Sequence, residues 1–373
     1  MRIAYDARPL MEQKTGIGRY VRCYLEALLP YEEVQEMLLC SPRQIAKGDA
    51  LGRDRRVREL VQRGWKGNVW LQLVVPFLLK RCKPDLFHGT LFLCPLLARC
   101  PSVVNIYDLT VYRYPETMEA KSKWPLKILL PRTVSRVDKI VTLSEFTKQE
   151  IGDRWPHVSH KIVVVPGAPY LSLEASSGIS SESDPEEVLA RYGVRRPYLL
   201  YVGTMEPRKN LVRMLKAFEL ANAMGAEEVQ LVLVGHGGWG LRELQRALEA
   251  SPIRSAVRYV GYVPDEVLGA LYRHADLFLY LSLYEGFGLP PLEAMAAGTC
   301  VVASNQGSLP ECLGDAAVLA DPLDPEAVAG ILFRLLQDED LRMEYVEKGL
   351  ERVKRYSWQR CAEKTLAVYR ELG

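Results

Sequence analysis

Two glutamates, Glu285 and Glu293, stand eight positions apart in YEGFGLPPLEAM, residues 284–295, with a glycine turn and a proline pair between them. A carboxylate accepts two hydrogen bonds side by side, which suits the vicinal hydroxyls of a sugar or a ribose. Pro291 suits the first position of a helix. Glu293 is then expected in the first turn, where the helix dipole alone favours an acid by ~0.3–1 kcal/mol. Glu285 has no such local reason. It follows the apolar run DLFLYLSLY and precedes Gly286 and Gly288, where backbone can come close to a ligand. The expected arrangement places a ribose on Glu293, a sugar on Glu285, and a phosphate before the amides of Phe287, Gly288 and Leu289.

A second group lies in YVGTMEPRKNL, residues 201–211. A buried strand is expected to end at Gly203, with Arg208 and Lys209 at the start of the next helix. The helix dipole prefers acids there, so two cations make sense if an anion sits between them and the amides. A diphosphate fits; the alternative is a solvent-facing basic pair. A third group, KTGIGRY at 14–20, places Gly16 and Gly18 after the first strand, where backbone can approach an anion; the alternative is an ordinary strand–helix turn. Val21 stands where a dinucleotide fingerprint needs its third glycine, so that fingerprint fails. Tyr262 and Val263, in YVGYVPDEVLGALY, offer a ring and a backbone to a nucleobase. His157 and His160 form an HxxH with no acidic partner nearby, and no DxD pair follows an apolar strand. No metal is expected; Arg208 and Lys209 would neutralise phosphate instead.

These residues need elements to position them. In the first half, RIAYDA, EMLLC, DLFHG, SVVNIYDL, KIVTLS and KIVVVPG read as short strands separated by amphipathic stretches. Runs of this kind suit a parallel sheet buried on both faces. The Ser- and acid-rich LEASSGISSESDPEE, residues 173–187, reads as a linker or loop. The alternation then restarts with YLLYVG, VQLVLVG, AVRYVGYV, DLFLYLS, TCVVAS and AAVLA. The fold class is α/β, with two Rossmann-like parallel-sheet domains and a cleft between them. Expected boundaries are 1–170, a linker at 171–196, 197–355, and a final amphipathic helix over 356–373. Trp358, Cys361, Leu366 and Tyr369 share one face of that helix.

The bulk composition agrees. The chain has 373 residues, 48% hydrophobic and 25% charged, enough for two cores. Its net charge of +2 hides an asymmetry. Residues 1–168 carry 27 basic and 17 acidic side chains (+10), leaving 48−27 = 21 basic and 46−17 = 29 acidic (−8). The basic half includes GRDRRVRELVQRGWK and KSKWPLKILLPRTVSR, the latter interleaving Lys and Arg with Trp124, Leu126, Ile128, Leu129 and Leu130. An anionic membrane surface would suit it; a helix covering its own core is the alternative. The eight cysteines form no CxxC and are expected as reduced thiols of a cytosolic chain. No signal peptide or bilayer-length apolar run is evident, so a cytoplasmic protein is expected, peripheral at most on the inner membrane face.

The motif EGFGLPPLE resembles the E-x7-E motif of the retaining glycosyltransferases of family 4, and GTMEPRKN, TGIGRY and the run from YVGYVPDEV to NQGSLPE fit the same family in the same order. The resemblance implies a GT-B fold whose last helix crosses back to the N-terminal domain. It implies metal-independent transfer of a hexose from a nucleotide sugar, with UDP or GDP as the carrier. The acceptor, a glycan or lipid-linked glycan, would sit on the N-terminal domain. By position Glu293 would hold the ribose, Glu285 the transferred sugar, Arg208 and Lys209 the diphosphate, and Gly16 would approach the phosphates from the other domain. Many relatives read IHDL after the strand SVVN, whereas here Tyr107 replaces the histidine and Asp108 is kept. A phenol is a poor general base near neutral pH. Tyr107, Asp108, Glu285 and His88 are the catalytic candidates; His88 is alternatively structural. Two other functions stay open at this level: a non-catalytic sugar-nucleotide binder, and an NAD-linked oxidoreductase. No cofactor and no nucleic-acid partner are expected.

Overall fold

A computed structural model describes residues 1–11, 16–45, 50–170, 185–226 and 228–373. Two compact units result: Met1–Tyr170 with Tyr356–Gly373, and Leu171–Arg355.

Every apolar run singled out above forms a strand. In the first unit these are β1 (Arg2–Asp6), β2 (Glu36–Ser41), β3 (Val57–Val61), β4 (Leu86–Gly89), β5 (Ser102–Asn105), β6 (Lys139–Thr142) and β7 (Ile162–Val164). They pair in parallel in the order β3-β2-β1-β4-β5-β6-β7. β3 was not expected. It lies inside the basic run GRDRRVRELVQRGWK, and its half-exposed sequence VRELV suits an edge strand, where charged residues block unwanted pairing. The second unit holds β8 (Tyr198–Val202), β9 (Gln230–Val234), β10 (Val257–Gly261), β11 (Leu277–Tyr280), β12 (Val301–Ser304) and β13 (Val318–Ala320), all parallel in the order β10-β9-β8-β11-β12-β13.

Both orders reverse direction once, beside β1 and beside β8. Ligands of doubly wound sheets bind at such points, outside the carboxyl ends of the strands. The loops after β8 and β11 carry Arg208, Lys209 and Glu285. The helix Pro185–Arg191 occupies much of the second half of the expected linker. It buries Leu189 and packs on the helix Asp265–His274, so it is part of the second unit; residues 171–184 of that linker lie outside the described residues.

The last helix, Trp358–Arg370, is capped by the Ser357 hydroxyl, which accepts from the Arg360 N–H. Its buried face (Cys361, Leu366, Tyr369) belongs to the first unit, and it packs on the helix Gly16–Leu28. Trp358 Nε1 donates to the Pro169 carbonyl at 3.1 Å. A buried polar network fastens the far end. His88, wholly inaccessible at β4, turns Nδ1 to the phenols of Tyr369 (2.6 Å) and Tyr24 (3.0 Å) and Nε2 to Asn105 Oδ1 (2.8 Å). Asn105 Oδ1 can only accept, so the Nε2–H tautomer follows. His88 therefore joins β4, β5, the first long helix and the last one. This placement supports the structural alternative for His88 and offers no route to a substrate.

Burial lowers the His88 pKa from its ordinary 6.5 to about 4, against a smaller opposing effect of Asn105. A depressed folded-state pKa gives stability that is complete above about pH 6.5 and is lost as pH falls toward 4. Urea unfolding should lose up to about 3 kcal/mol across that window. His88→Gln should be less stable at neutral pH and should lack this acid slope. An unchanged slope in the variant would show that another group titrates there.

Candidate functional site

The site grows from strand ends in the second unit. β8 leads to Gly203, whose φ is +159°; a side chain there would bring a Cβ within 2.6 Å of the Tyr201 hydroxyl. The neighbouring Gly235, after β9, has φ +136°, and a Cβ there would sit 2.1 Å from the Gly203 carbonyl oxygen. Only glycine fits where these two chain segments meet.

The loop after Gly203 closes in a short 3-10 turn, Pro207–Lys209, directly before the helix Leu211–Ala223. Asn210 between them is left-handed at φ +60°. Its side-chain amide donates to the carbonyls of Leu281 (3.1 Å) and Pro322 (2.8 Å), so it ties this turn to the loops after β11 and β13. Arg208 and Lys209 are thereby turned inward and buried. The solvent-facing alternative for this pair is excluded.

Their partner is Glu285. Arg208 Nη1 lies 2.9 Å from Glu285 Oε2, and Lys209 Nζ lies 2.6 Å from Oε1. Tyr280, the last residue of β11, places its hydroxyl 3.1 Å from the same Oε1 and 2.7 Å from Lys209 Nζ. Burial by itself would raise the Glu285 pKa; Arg208 and then Lys209 outweigh it and hold the carboxyl at about 2. The group is thus ionised throughout the physiological range. Glu206 Oε1 lies 3.8 Å from Arg208 Nη2, so two cations and two carboxylates meet here; an arriving anion would be received by the guanidinium and ammonium donors.

The loop Gly286–Gly288 is held from behind. Ser308 Oγ donates to the carbonyls of Glu285 (3.0 Å) and Phe287 (2.7 Å), and its N–H donates to Glu285 as well (3.0 Å). Gly307, at φ +65°, leaves no room for a Cβ, which would lie 2.6 Å from the Glu285 oxygen. Gly288 is extended and caps the next helix with no side-chain partner.

That helix, Leu289–Ala296, starts two residues earlier than expected. Both prolines lie inside its first turn, and Glu293 falls in the second turn, not the first. The helix dipole therefore does not explain Glu293. It is buried, and its Oε2 accepts from the Tyr272 hydroxyl at 3.0 Å. Tyr262 is 42% exposed and stacks on His236, ring centroids 4.8 Å apart, while Val263 is buried beside it in sequence.

The structure brings Arg208, Lys209 and Glu285 into one cluster, with Gly203, Gly286, Phe287, Gly288, Leu289, Tyr262, Val263 and Glu293 in the same unit. Gly16, His88, Tyr107 and Asp108 belong to the first unit. Gly16 begins the helix Gly16–Leu28, and a Cβ there would touch nothing within 4 Å, so internal packing does not demand a glycine. Tyr107 is buried and donates to the Thr90 carbonyl at 2.7 Å; burial raises its pKa, so it is unsuited to accept a proton. Asp108 Oδ1 accepts from the Thr110 N–H at 2.8 Å in a local turn. His157 shares a hydrogen bond with Ser135 on the surface, and no cluster of three or more His, Cys, Asp or Glu occurs among the described residues.

Sequence reasoning missed Tyr272, Tyr280, Ser308, Gly307 and Asn210. A tyrosine closing an otherwise apolar strand, as Tyr280 does, was the available signal.

Two family profiles match the chain. "Glycosyl transferases group 1" covers residues 190–352, and "Glycosyltransferase Family 4" covers residues 15–168. O-antigen chain mannosyltransferase B of Escherichia coli is 32% identical over the full length of both chains. Phosphatidyl-myo-inositol mannosyltransferase of Mycobacterium leprae (strain TN) is 34% identical over 53% of each chain. Among solved structures, Anabaena Alr3699/HepE in complex with UDP and glucose superposes with a TM-score of 0.76 at 18% identity, covering 98% of each chain. WaaG, a glycosyltransferase involved in lipopolysaccharide biosynthesis, gives 0.76 at 16% identity, covering 97% of this chain and 98% of its own. At these identities the structural likeness establishes the fold, which is GT-B.

Glu285→Gln should leave buried Lys209 without its carboxylate and Arg208 with only the more distant Glu206, at a cost of about 3–5 kcal/mol in urea unfolding. Added pyrophosphate should recover part of that loss, because an anion can take the carboxylate's place. Wild-type stability in the variant would mean that the three charges do not depend on one another.

Proposed function

The chain belongs to the glycosyltransferases of group 1 and family 4, and from that premise we propose that it transfers a hexose, with mannose favoured, from a nucleotide sugar to a glycan with retention of configuration and without a metal. The single observation that carries this reading is the buried Arg208–Lys209–Glu285 cluster at the point where the second sheet reverses. Arg208 and Lys209 face the donor diphosphate and stabilise the charge that grows on it as the anomeric bond breaks. Glu285 accepts from hydroxyls of the sugar, and Glu293 from the ribose. The exposed Tyr262 ring and the Val263 backbone receive the base, uracil or guanine. The acceptor hydroxyl attacks from the face the diphosphate leaves, and its proton passes to a phosphate oxygen. Tyr107 takes no part in that transfer, in keeping with its burial.

Mannose is favoured by the names of the relatives, and a polysaccharide or lipid-linked acceptor by the same names. Two positive side chains already placed at the diphosphate do the work that a divalent cation does elsewhere. A thermal-shift panel in EDTA tests the donor side, with UDP-glucose, GDP-mannose, an ADP-sugar, a dTDP-sugar and NAD. One sugar nucleotide should stabilise the wild type and fail to stabilise the Arg208→Ala/Lys209→Ala variant. Stabilisation by NAD alone, or equal binding by the double variant, overturns the assignment. Anomeric NMR of the product reads retention directly.

We further propose that the first unit rests on an anionic membrane surface. The helix Ala120–Arg136 buries Leu130 and Val134 in its own core, with Leu126 and Leu129 packed beside them, so the core-covering alternative accounts for that face. It does not account for Trp124 (58% exposed) and Ile128 (54%), which stand among Lys121, Lys123 and Lys127. No helix among the described residues is long and apolar enough to cross a membrane. Co-sedimentation with phosphatidylglycerol vesicles at low salt should capture the wild type and lose the Trp124→Ser/Ile128→Ser variant. Equal recovery of both in the supernatant sinks the membrane contact.

A further inference from the structure

Glu285 and Glu293 are each met by a buried tyrosine. Tyr280 lies 3.1 Å from Glu285 Oε1, and Tyr272 lies 3.0 Å from Glu293 Oε2. The pairs are nested in sequence: the two tyrosines are eight positions apart, as are the two glutamates, and the inner tyrosine serves the inner glutamate. Neither phenol has any exposure worth the name, at 0% for Tyr272 and 1% for Tyr280. A buried phenol that approaches a carboxylate can only donate to it, and one donated hydrogen bond fixes the rotation of the acid while leaving other lone pairs for a ligand.

We propose that Tyr280 and Tyr272 are positioning residues, one for each end of the donor: Tyr280 sets Glu285 and Lys209 at the transferred sugar, and Tyr272 sets Glu293 at the ribose. This rests on the roles given to the two glutamates above. The two tyrosines differ in what else they hold. Tyr280 also accepts from the Lys209 ammonium at 2.7 Å, so it orders the cation and the acid together, directly beside the bond that breaks. Burial, followed by the charge of Glu285, keeps its own proton in place. Tyr272 sits at the second glutamate alone of the two, far along the helix Asp265–His274, and its backbone carbonyl also receives the Thr299 hydroxyl. Its hydroxyl therefore acts on a part of the donor that does not change during the reaction.

That difference predicts a split in steady-state kinetics, measured with the sugar nucleotide that the thermal-shift panel selects. Phenylalanine keeps the ring and its packing and removes only the hydroxyl. Tyr280→Phe should lower kcat about tenfold with donor KM changed less than about threefold, since the interaction is strongest as charge moves. Tyr272→Phe should raise donor KM about tenfold with kcat nearly unchanged, since ribose binding is the same before and during reaction. A purely structural role predicts lower melting temperatures with both constants intact for the folded fraction, and that result overturns the proposal. Glu285→Gln and Glu293→Gln are run alongside. If these two lose activity while both tyrosine variants keep wild-type constants, the tyrosine roles fall and the glutamate roles stand. If the glutamate variants are fully active, the site reading itself is wrong.

Discussion

A carboxylate buried between two cations is the interaction on which the second unit's site depends. Desolvation alone would drive Glu285 to take up a proton; Arg208 and Lys209 reverse this and hold its pKa at about 2. The pairing in turn accounts for how two cations tolerate burial at the mouth of a helix. None of the three groups would be stable there singly. The surrounding loops are built to keep them together: Asn210 ties down the cations' turn, and Ser308 and Gly307 hold the loop that follows Glu285. The cluster is thus held in place by contacts within the second unit alone.

The first unit solves a similar problem without charge. His88, Tyr24, Tyr369, Asn105 and Tyr107 form a buried network of neutral groups, in which the bonds from His88 to Tyr24 and Tyr369 join elements far apart in sequence. Burial lowers the pKa of the histidine and raises those of the phenols, so every member stays uncharged near neutrality. The same residue types that look catalytic in a sequence serve here to fasten a helix.

Much of this was legible in the residues. The strands announced themselves because a sheet buried on both faces needs unbroken apolar runs, and the E-x7-E and PRKN segments stood out by residue type before the fold was seen to bring Arg208, Lys209 and Glu285 together. Three things were not legible. β3 hid in a basic run because an edge strand faces water and needs no apolar pattern. The start of the helix at Leu289 was displaced because proline is tolerated throughout a first turn, so the pair marks the turn without marking its first residue. Tyr272 and Tyr280 were passed over because a tyrosine in an apolar run looks like core until its hydroxyl is seen to have a partner, although the place of Tyr280 at a strand end was a signal. His88 carried two meanings, and only its burial chose between them.

The return of the last helix to the first unit has a consequence for biosynthesis. A ribosome makes Tyr24 and His88 early, but Tyr369, which closes their network, emerges only after the whole of the second unit. The first unit therefore waits, with its polar centre uncovered, while the second can complete its fold ahead of it. In this chain the first unit begins first and is closed last.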